Sequence, residues 1–189
     1  MVQRLGLLIP EFPTQTHIAM WRLGAAMRRA GVGVEMLSTR RPAGEAAVHP
    51  ALVEEAARTF YCWPAPAWGV LAEMVRSIGR LPAALGYALG LPEGGARERM
   101  RTAALIIAAL ALKRRARRRG LEHVFVHSCA SGAHLAALCR ILGGPAYSLR
   151  LGGDIEVYGL NQRAKMRRAT VVVGAANVNR GQAIERGGV

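Results

Sequence analysis

HVFVHSCASGAHLAALCRILGGPAYSLRL, residues 123–151, holds a complete strand–helix–strand unit and decides the fold. HVFVH is a short β-branched and aromatic run, SGAHLAALCRILG is a helical stretch ending at glycine, and AYSLRL is a second apolar run. The same rhythm continues outward on both sides. Toward the N-terminus, RLGLLIP (residues 4–10) reads as a buried strand ended by its proline. THIAMWRLGAAMRRAG then reads as a helix over about residues 16–30, with Ile18, Trp21 and Ala25 near one face and Gly31 as its stop. GVEMLS (33–38) closes the unit as a strand. Toward the C-terminus, LNQRAKMRRA reads as a short helix, TVVVG as a strand, and ANVNRGQAIE as the start of a further helix. The sequence then stops at ERGGV, which resembles a turn before another element.

Between these blocks, residues 50–119 read as helical throughout: 50–60, an interrupted helix over 71–89 containing Pro82, and 96–119, with WPAPAWG as a bend. The expectation is one α/β domain, a Rossmann-like doubly wound parallel sheet with a helical insertion at about 50–119. Ligands of such sheets bind beyond the carboxyl ends of the strands. Those ends are the loops at residues 10–16, 38–41, 127–131, 152–158 and 174–177, and function is sought there.

The 189 residues carry 26 basic and 12 acidic side chains, a formal net charge of +14. All the basic residues but Lys113 and Lys165 are arginine. Such an excess favours an anionic partner: nucleic acid, an acidic membrane face or a phosphorylated substrate. Nucleic acid is the weakest of these, because aromatic residues are few and do not interleave with the basic ones. Cys62, Cys129 and Cys139 have no metal spacing and read as buried thiols of a reduced, cytoplasmic chain. No secretory leader is read at the start. The eleven-residue apolar run TAALIIAALAL (102–112) is too short to span a bilayer, which takes about 20 residues. It runs into KRRARRRG, so Arg114, Arg115, Arg117, Arg118 and Arg119 are candidate contacts for anionic lipid headgroups; a solvated helix end is the plainer alternative.

Several chemistries lack their residues. There is no GxGxxG after the first strand, no GxxxxGK[ST], no GxSxG and no HExxH. Asp154 is the one aspartate of the chain, so a DxD metal–sugar-phosphate site is impossible and no metal or cofactor is expected. The loop PEFPTQTH places Phe12, Thr14, Gln15, Thr16 and His17 at a helix N-terminus, where amide groups and the helix dipole favour an anionic or polyhydroxyl ligand. The alternative is that Thr14 or Thr16 caps that helix. His127 ends its strand at the same sheet edge, with Ser128 after it; there a histidine can hydrogen-bond a sugar or exchange a proton, and a structural histidine is an equal reading. His134 reads as structural.

Three stretches together resemble a known pattern. IPEFPTQTHI followed by LGAAMRRAGVGVEMLSTRRP is similar to a Phe-Pro, Glu-Thr-Phe-Ile, L…G…V…L…R-P segment. VFVHSCASGAHLAALCRILGGPAYSLRL resembles a strand-His, helix, G-P/I-x-x-x-T segment, and GGDIEVYGLNQRAKMRRATVVVGAANVNR an H-G-x-D/L-I…K…A…V-V…S segment. The pattern is that of the N-terminal, acceptor-side domain of GT-B glycosyltransferases, in the family-4-like retaining class that includes many bacterial exopolysaccharide and capsule enzymes. The resemblance implies a Rossmann-like lobe facing a nucleotide-sugar domain across a cleft, metal-independent transfer from a nucleotide-sugar co-substrate to a saccharide or lipid-linked acceptor, and a place at the inner membrane surface.

The resemblance also implies site residues. Phe12, Thr14, Gln15, Thr16, His17, Ser128, Gly152, Gly153 and Tyr158 would bind substrate, with His127 and Asp154 as the candidates for catalysis. Two departures stand out. Gln15-Thr16-His17 replaces Glu-Thr-Phe, and Gly152-Gly153 stands where the pattern has His-Gly, in relatives a donor-contacting histidine. The 189 residues contain no stretch like the donor-binding C-terminal domain. The implied enzyme is therefore incomplete without that domain, in cis or on a partner chain. Two other readings stay open: a scaffold module on the same fold, and a basic binder of membrane or nucleic acid.

Overall fold

The computed structural model describes residues 3–14, 17–42, 50–152 and 155–174. The most apolar strand, β1 (Arg4–Glu11), lies at the centre of the sheet, with Leu7, Leu8 and Ile9 fully buried. A parallel strand covered on both faces needs such a continuous apolar run. Next to it run β2 (Gly33–Arg40) and β4 (His123–His127), in register at Leu7↔Met36 and Leu7↔Phe125. Outside them are β3 (Phe60–Trp63), β5 (Ala146–Leu151) and β6 (Val172–Gly174). The six strands are parallel in the order β3-β2-β1-β4-β5-β6, the doubly wound arrangement expected.

Side chains alternate between the sheet faces, so each face has its own core. Leu7, Ile9 and Met36 pack with Phe12, with Met20 of α1 (Ile18–Arg29) and with Leu52 of α2 (Pro50–Arg58). Leu8, Leu37, Val124 and Val126 pack against α5 (Gly95–Arg119) and α6 (Ser131–Ile141). Two further helices, α3 (Ala67–Arg76) and α4 (Leu81–Leu89), brace α5 from outside, and the short α7 (Gln162–Met166) packs on α6.

Residues 50–119 are not wholly helical as the sequence reading expects. Phe60–Trp63 is a strand, paired to β2 at Leu37↔Phe60, Ser38↔Tyr61 and Arg40↔Trp63. Four residues are too few to show a period-two pattern, and of them only Cys62 is fully buried, so in sequence the run is indistinguishable from the end of the helix before it. The expected helix over 71–89 is α3 and α4, separated by a 3-10 turn at Ile78–Arg80, and Pro82 lies at the start of α4 where its missing N–H costs nothing. The expected helix at 176–185 lies outside the described residues.

The basic, apolar helix α5 is a core element. Ile106 and residues 108–112 are buried, and among the described residues no helix is long and apolar enough to cross a membrane. The helix stops at Gly120, whose φ of +63° a residue with a Cβ adopts only at a cost. Its cationic end is largely paired inside the molecule. Lys113 Nζ lies 3.2 Å from Glu73 Oε1 and donates to Ser77 Oγ at 2.7 Å, while Arg117 donates to Glu73 Oε2 at 3.1 Å. Arg115 and Arg119 pair with Glu35 of β2, and the Arg114 side chain packs over Gly69. Only Arg118 of the five candidate lipid contacts is exposed with no such partner among the described residues. Cys62, Cys129 and Cys139 are free and buried, and burial holds each thiol well above its ordinary pKa.

Candidate functional site

At the switch point between β1 and β4 the two following loops diverge, and a cavity of about 960 Å³ opens beyond the strand ends. Its size suits a small ligand, for which pockets run to about 300–1,000 Å³. Thr14 and His17 line it from the first loop, Thr39 and Arg40 from the end of β2, and His127, Ser128 and Ser131 from the loop after β4. Arg150, Gly152 and Tyr158 line it from β5 and its exit. The far wall is α5, through Glu98, Arg101, Thr102, Leu105 and Ala108.

Of the residues expected to bind substrate, Thr14, His17, Ser128, Gly152 and Tyr158 thus share one cavity with His127. Phe12 does not belong to it. Its ring is fully buried in the core under α1, because a phenyl group gains more from apolar neighbours than from a wet cleft. Gln15, Thr16, Gly153 and Asp154 lie outside the described residues. Helix α1 begins at His17 without a side-chain cap, and Thr14 Oγ1 lies 2.6 Å from His17 Nδ1.

The His17 and His127 rings meet edge to face at 5.5 Å. Arg150 Nη1 lies 3.3 Å from His127 Nδ1. A guanidinium can only donate, so Nδ1 is the acceptor and the neutral ring carries its proton on Nε2. Burial, the neighbouring His17 and Arg150 together lower the His127 pKa to about 4. Burial lowers His17 as well, against an opposing pull from Glu11. Both imidazoles are therefore neutral at physiological pH, as groups that donate and accept hydrogen bonds.

Three residues that line the cavity each carry a buried polar atom, Thr39 Oγ1, Ser128 Oγ and His134 Nε2, with no hydrogen-bond partner among the described residues. Each such atom costs about 1–3 kcal/mol when left unsatisfied, and all three lie beside the cavity wall. His134 pairs through Nδ1 with the Tyr87 hydroxyl at 2.8 Å, while its residue also lines the cavity. Burial and the nearby Lys165 lower its pKa to about 3. Ser128 has a φ of +92°, a conformation that non-glycine residues adopt at a cost, and its N–H donates to Arg150 O at 3.0 Å.

Lys165, from α7, holds two of the loops together. Its buried Nζ donates to Cys129 O at 2.8 Å and to Tyr158 O at 3.1 Å. Among the described residues no group of three or more His, Cys, Asp and Glu side chains could hold a metal ion. Sequence reading passes over Arg150, Thr39 and the free edge of His134. The one available signal is Arg150 itself, a single charge in an apolar strand, two residues before the glycine pair.

No protein-family model matches the chain, and no curated protein matches it. Among solved structures, sucrose-phosphate synthase from Thermosynechococcus elongatus is similar with a TM-score of 0.53 and 15% sequence identity, over 96% of this chain and 81% of that one. The likeness is one of fold: an α/β, Rossmann-like lobe of the GT-B kind.

Proposed function

We propose that this chain is the acceptor-binding lobe of a metal-independent glycosyltransferase that takes its sugar from a nucleotide-sugar and acts together with a donor-binding lobe, in cis or in trans. The observation that carries this reading is the cavity at the sheet's switch point, lined among others by Thr39, Ser128 and His134, whose Oγ1, Oγ and Nε2 atoms are buried without partners among the described residues. Hydroxyl groups of a saccharide both donate and accept, so they suit a cavity lined by Thr, Ser and His side chains. The likeness to sucrose-phosphate synthase supports the same direction at the level of fold. In this reading His127, with Nε2–H available and its ring held by Arg150, positions a sugar hydroxyl rather than acting as a strong base.

Saccharide binding tests it. Saturation-transfer NMR against a panel of mono- and oligosaccharides is expected to find ligands whose affinity drops about tenfold in Ser128→Ala and in Thr39→Val, since each variant removes one hydrogen-bonding group. A panel that binds both variants as well as the unaltered chain, or not at all, would remove the acceptor reading.

A membrane-surface role for the same lobe is favoured by α3. Trp68, Leu71 and Val75, at i, i+3 and i+7, are 85%, 50% and 64% exposed, and Ile78 just beyond is 70% exposed. Arg76 is exposed at the end of this apolar stripe, and the net charge of the chain is +14. Together these suit an anionic bilayer surface, as the occupant of the stripe. The expected contact thus moves from the arginines after residue 113, most of which face Glu35 and Glu73, to α3. Co-sedimentation with phosphatidylglycerol vesicles is expected to fall at least tenfold in the Trp68→Ser/Val75→Ser double variant, because each large apolar side chain contributes about 1.5–3 kcal/mol when buried. Unchanged sedimentation of the double variant would count against α3 as the contact.

A further inference from the structure

A second recess lies at the opposite, amino-terminal edge of the sheet. Its volume is about 460 Å³. It is lined by the first residues of β1 and β2, by Leu121 just ahead of β4, and by the C-terminal ends of α1, α2 and α5. Arg4, in this recess, and Glu11, in the cavity at the switch point, are the two ends of β1. At about 3.3 Å per residue they stand roughly 23 Å apart, so the two sites are separate.

Arg4, Arg28, Arg58, Arg115 and Arg119 line the recess, against two carboxylates, Glu35 and Glu55. Both carboxylates are already engaged. Glu55 accepts from Arg28 Nη1 at 2.9 Å and Nη2 at 2.7 Å, while Glu35 pairs with Arg115 and, at 3.8 Å, with Arg119. Main-chain carbonyls hold two of the guanidiniums further: Arg28 donates to Val34 O at 3.0 Å and Arg4 to Arg119 O at 2.9 Å. Arg58 is exposed and has no ion pair among the described residues. Five guanidiniums against two carboxylates leave an excess of three positive charges. The C-termini of three helices offset about half a charge each, which leaves roughly one and a half. A guanidinium pinned at one or two N–H groups is pre-organised and keeps the others to donate.

We propose that this recess is a second binding site, for a small multivalent phosphate anion, with Arg58 and Arg4 as its anchors and Arg28, Arg115 and Arg119 as supporting donors. Guanidinium forks take phosphate oxygens two at a time, and bonds between charged groups are the stronger ones. An anion of two or more charges compensates an excess that a single carboxylate does not. The volume falls within the range of small-molecule pockets, about 300–1,000 Å³. Occupancy here is independent of what fills the cavity at the other edge of the sheet. The phosphate oxygens belong either to a soluble anion or to the headgroups of an anionic bilayer, and the experiment separates the two sources.

The test is isothermal titration calorimetry of the full chain with pyrophosphate and with inorganic phosphate at physiological ionic strength. Both are expected to bind, pyrophosphate at least about tenfold more tightly. Arg4→Gln/Arg58→Gln is expected to weaken pyrophosphate roughly a hundredfold, about tenfold for each charged donor lost. Arg97→Gln/Arg163→Gln removes the same two charges from exposed positions that do not line the recess, and is expected to weaken it less than about threefold, because salt screens distant charges. Should the first double variant fail to fold, Arg58→Gln alone, which breaks no ion pair, carries the same comparison at about tenfold. Equal losses in the two double variants would reduce the binding to general attraction by a chain of net charge +14 and overturn the site. Pyrophosphate binding undiminished in Arg4→Gln/Arg58→Gln would overturn it too, by placing the anion elsewhere. If neither soluble anion binds, co-sedimentation with phosphatidylglycerol vesicles decides. A loss of about tenfold in Arg4→Gln/Arg58→Gln but not in Arg97→Gln/Arg163→Gln would keep the site and assign it to lipid headgroups, and no loss would overturn it.

Discussion

Replacing Glu73 by Ala is expected to lower the stability of the chain by about 3–5 kcal/mol, the effect of stripping one partner from a buried ion pair. The Glu73 side chain is 1% exposed and that of Lys113 11% exposed, so neither ion has water to fall back on. Burial alone would raise the Glu73 carboxyl, but hydrogen bonds from Arg117 and Lys113 outweigh it and hold the pKa below its ordinary value. The unfolded chain thus binds its proton at higher pH than the folded one. The contribution is present above the unfolded value and is lost as pH falls through the folded one. Urea unfolding at neutral pH measures the loss. Lys113→Met combined with Glu73→Leu is expected to restore most of it, since the pair is replaced by apolar groups of similar volume. A Glu73→Ala variant within about 1 kcal/mol of the parent would show that the charge is not held out of water.

Mild acid is the second large effect, and His134 carries it. Its folded pKa of about 3 lies far below the usual 6.5, because burial and Lys165 oppose the charged ring. Between those values the unfolded chain binds more protons, so stability rises with pH across the window and is fully present above about 6.5. Lowering the pH from 7 to 5 is expected to cost about 2 kcal/mol through His134 alone. His127, with a folded pKa of about 4, acts in the same direction. In His134→Asn the amide oxygen can still accept from Tyr87, and the titrating ring is gone. Denaturation midpoints at pH 7 and pH 5 are expected to converge in this variant relative to the parent. Equal pH slopes in the two proteins would contradict a neutral buried His134.

How much of the site is legible from the residues depends on what each residue needs from its neighbours. His127, Ser128, Gly152 and Tyr158 follow two of the strands directly, so strand ends found by pattern place them at the correct sheet edge. Phe12 occupies the same kind of loop position and turns inward instead, which position along the chain does not indicate. Arg150 looks like an interruption in an apolar strand, and its contact with His127 depends on the β4–β5 ladder that sets the two side by side. The basic run after residue 113 looks like a surface patch because Glu35 and Glu73, which neutralise much of it, are about 80 and 40 residues away in sequence.

The sequence by itself determined the parallel α/β alternation, the edge of the sheet that bears the loops, and the lack of P-loop and DxD motifs in these 189 residues. These are local properties: apolar period, turn residues, and the presence or absence of particular side chains. Only the tertiary structure decided that Phe60–Trp63 is a strand, that much of α5 is buried, that Arg150 meets His127, and that Thr39 Oγ1, Ser128 Oγ and His134 Nε2 lack partners among the described residues. Each of these depends on which distant groups come within hydrogen-bonding or packing distance, and a chain specifies those distances only by folding.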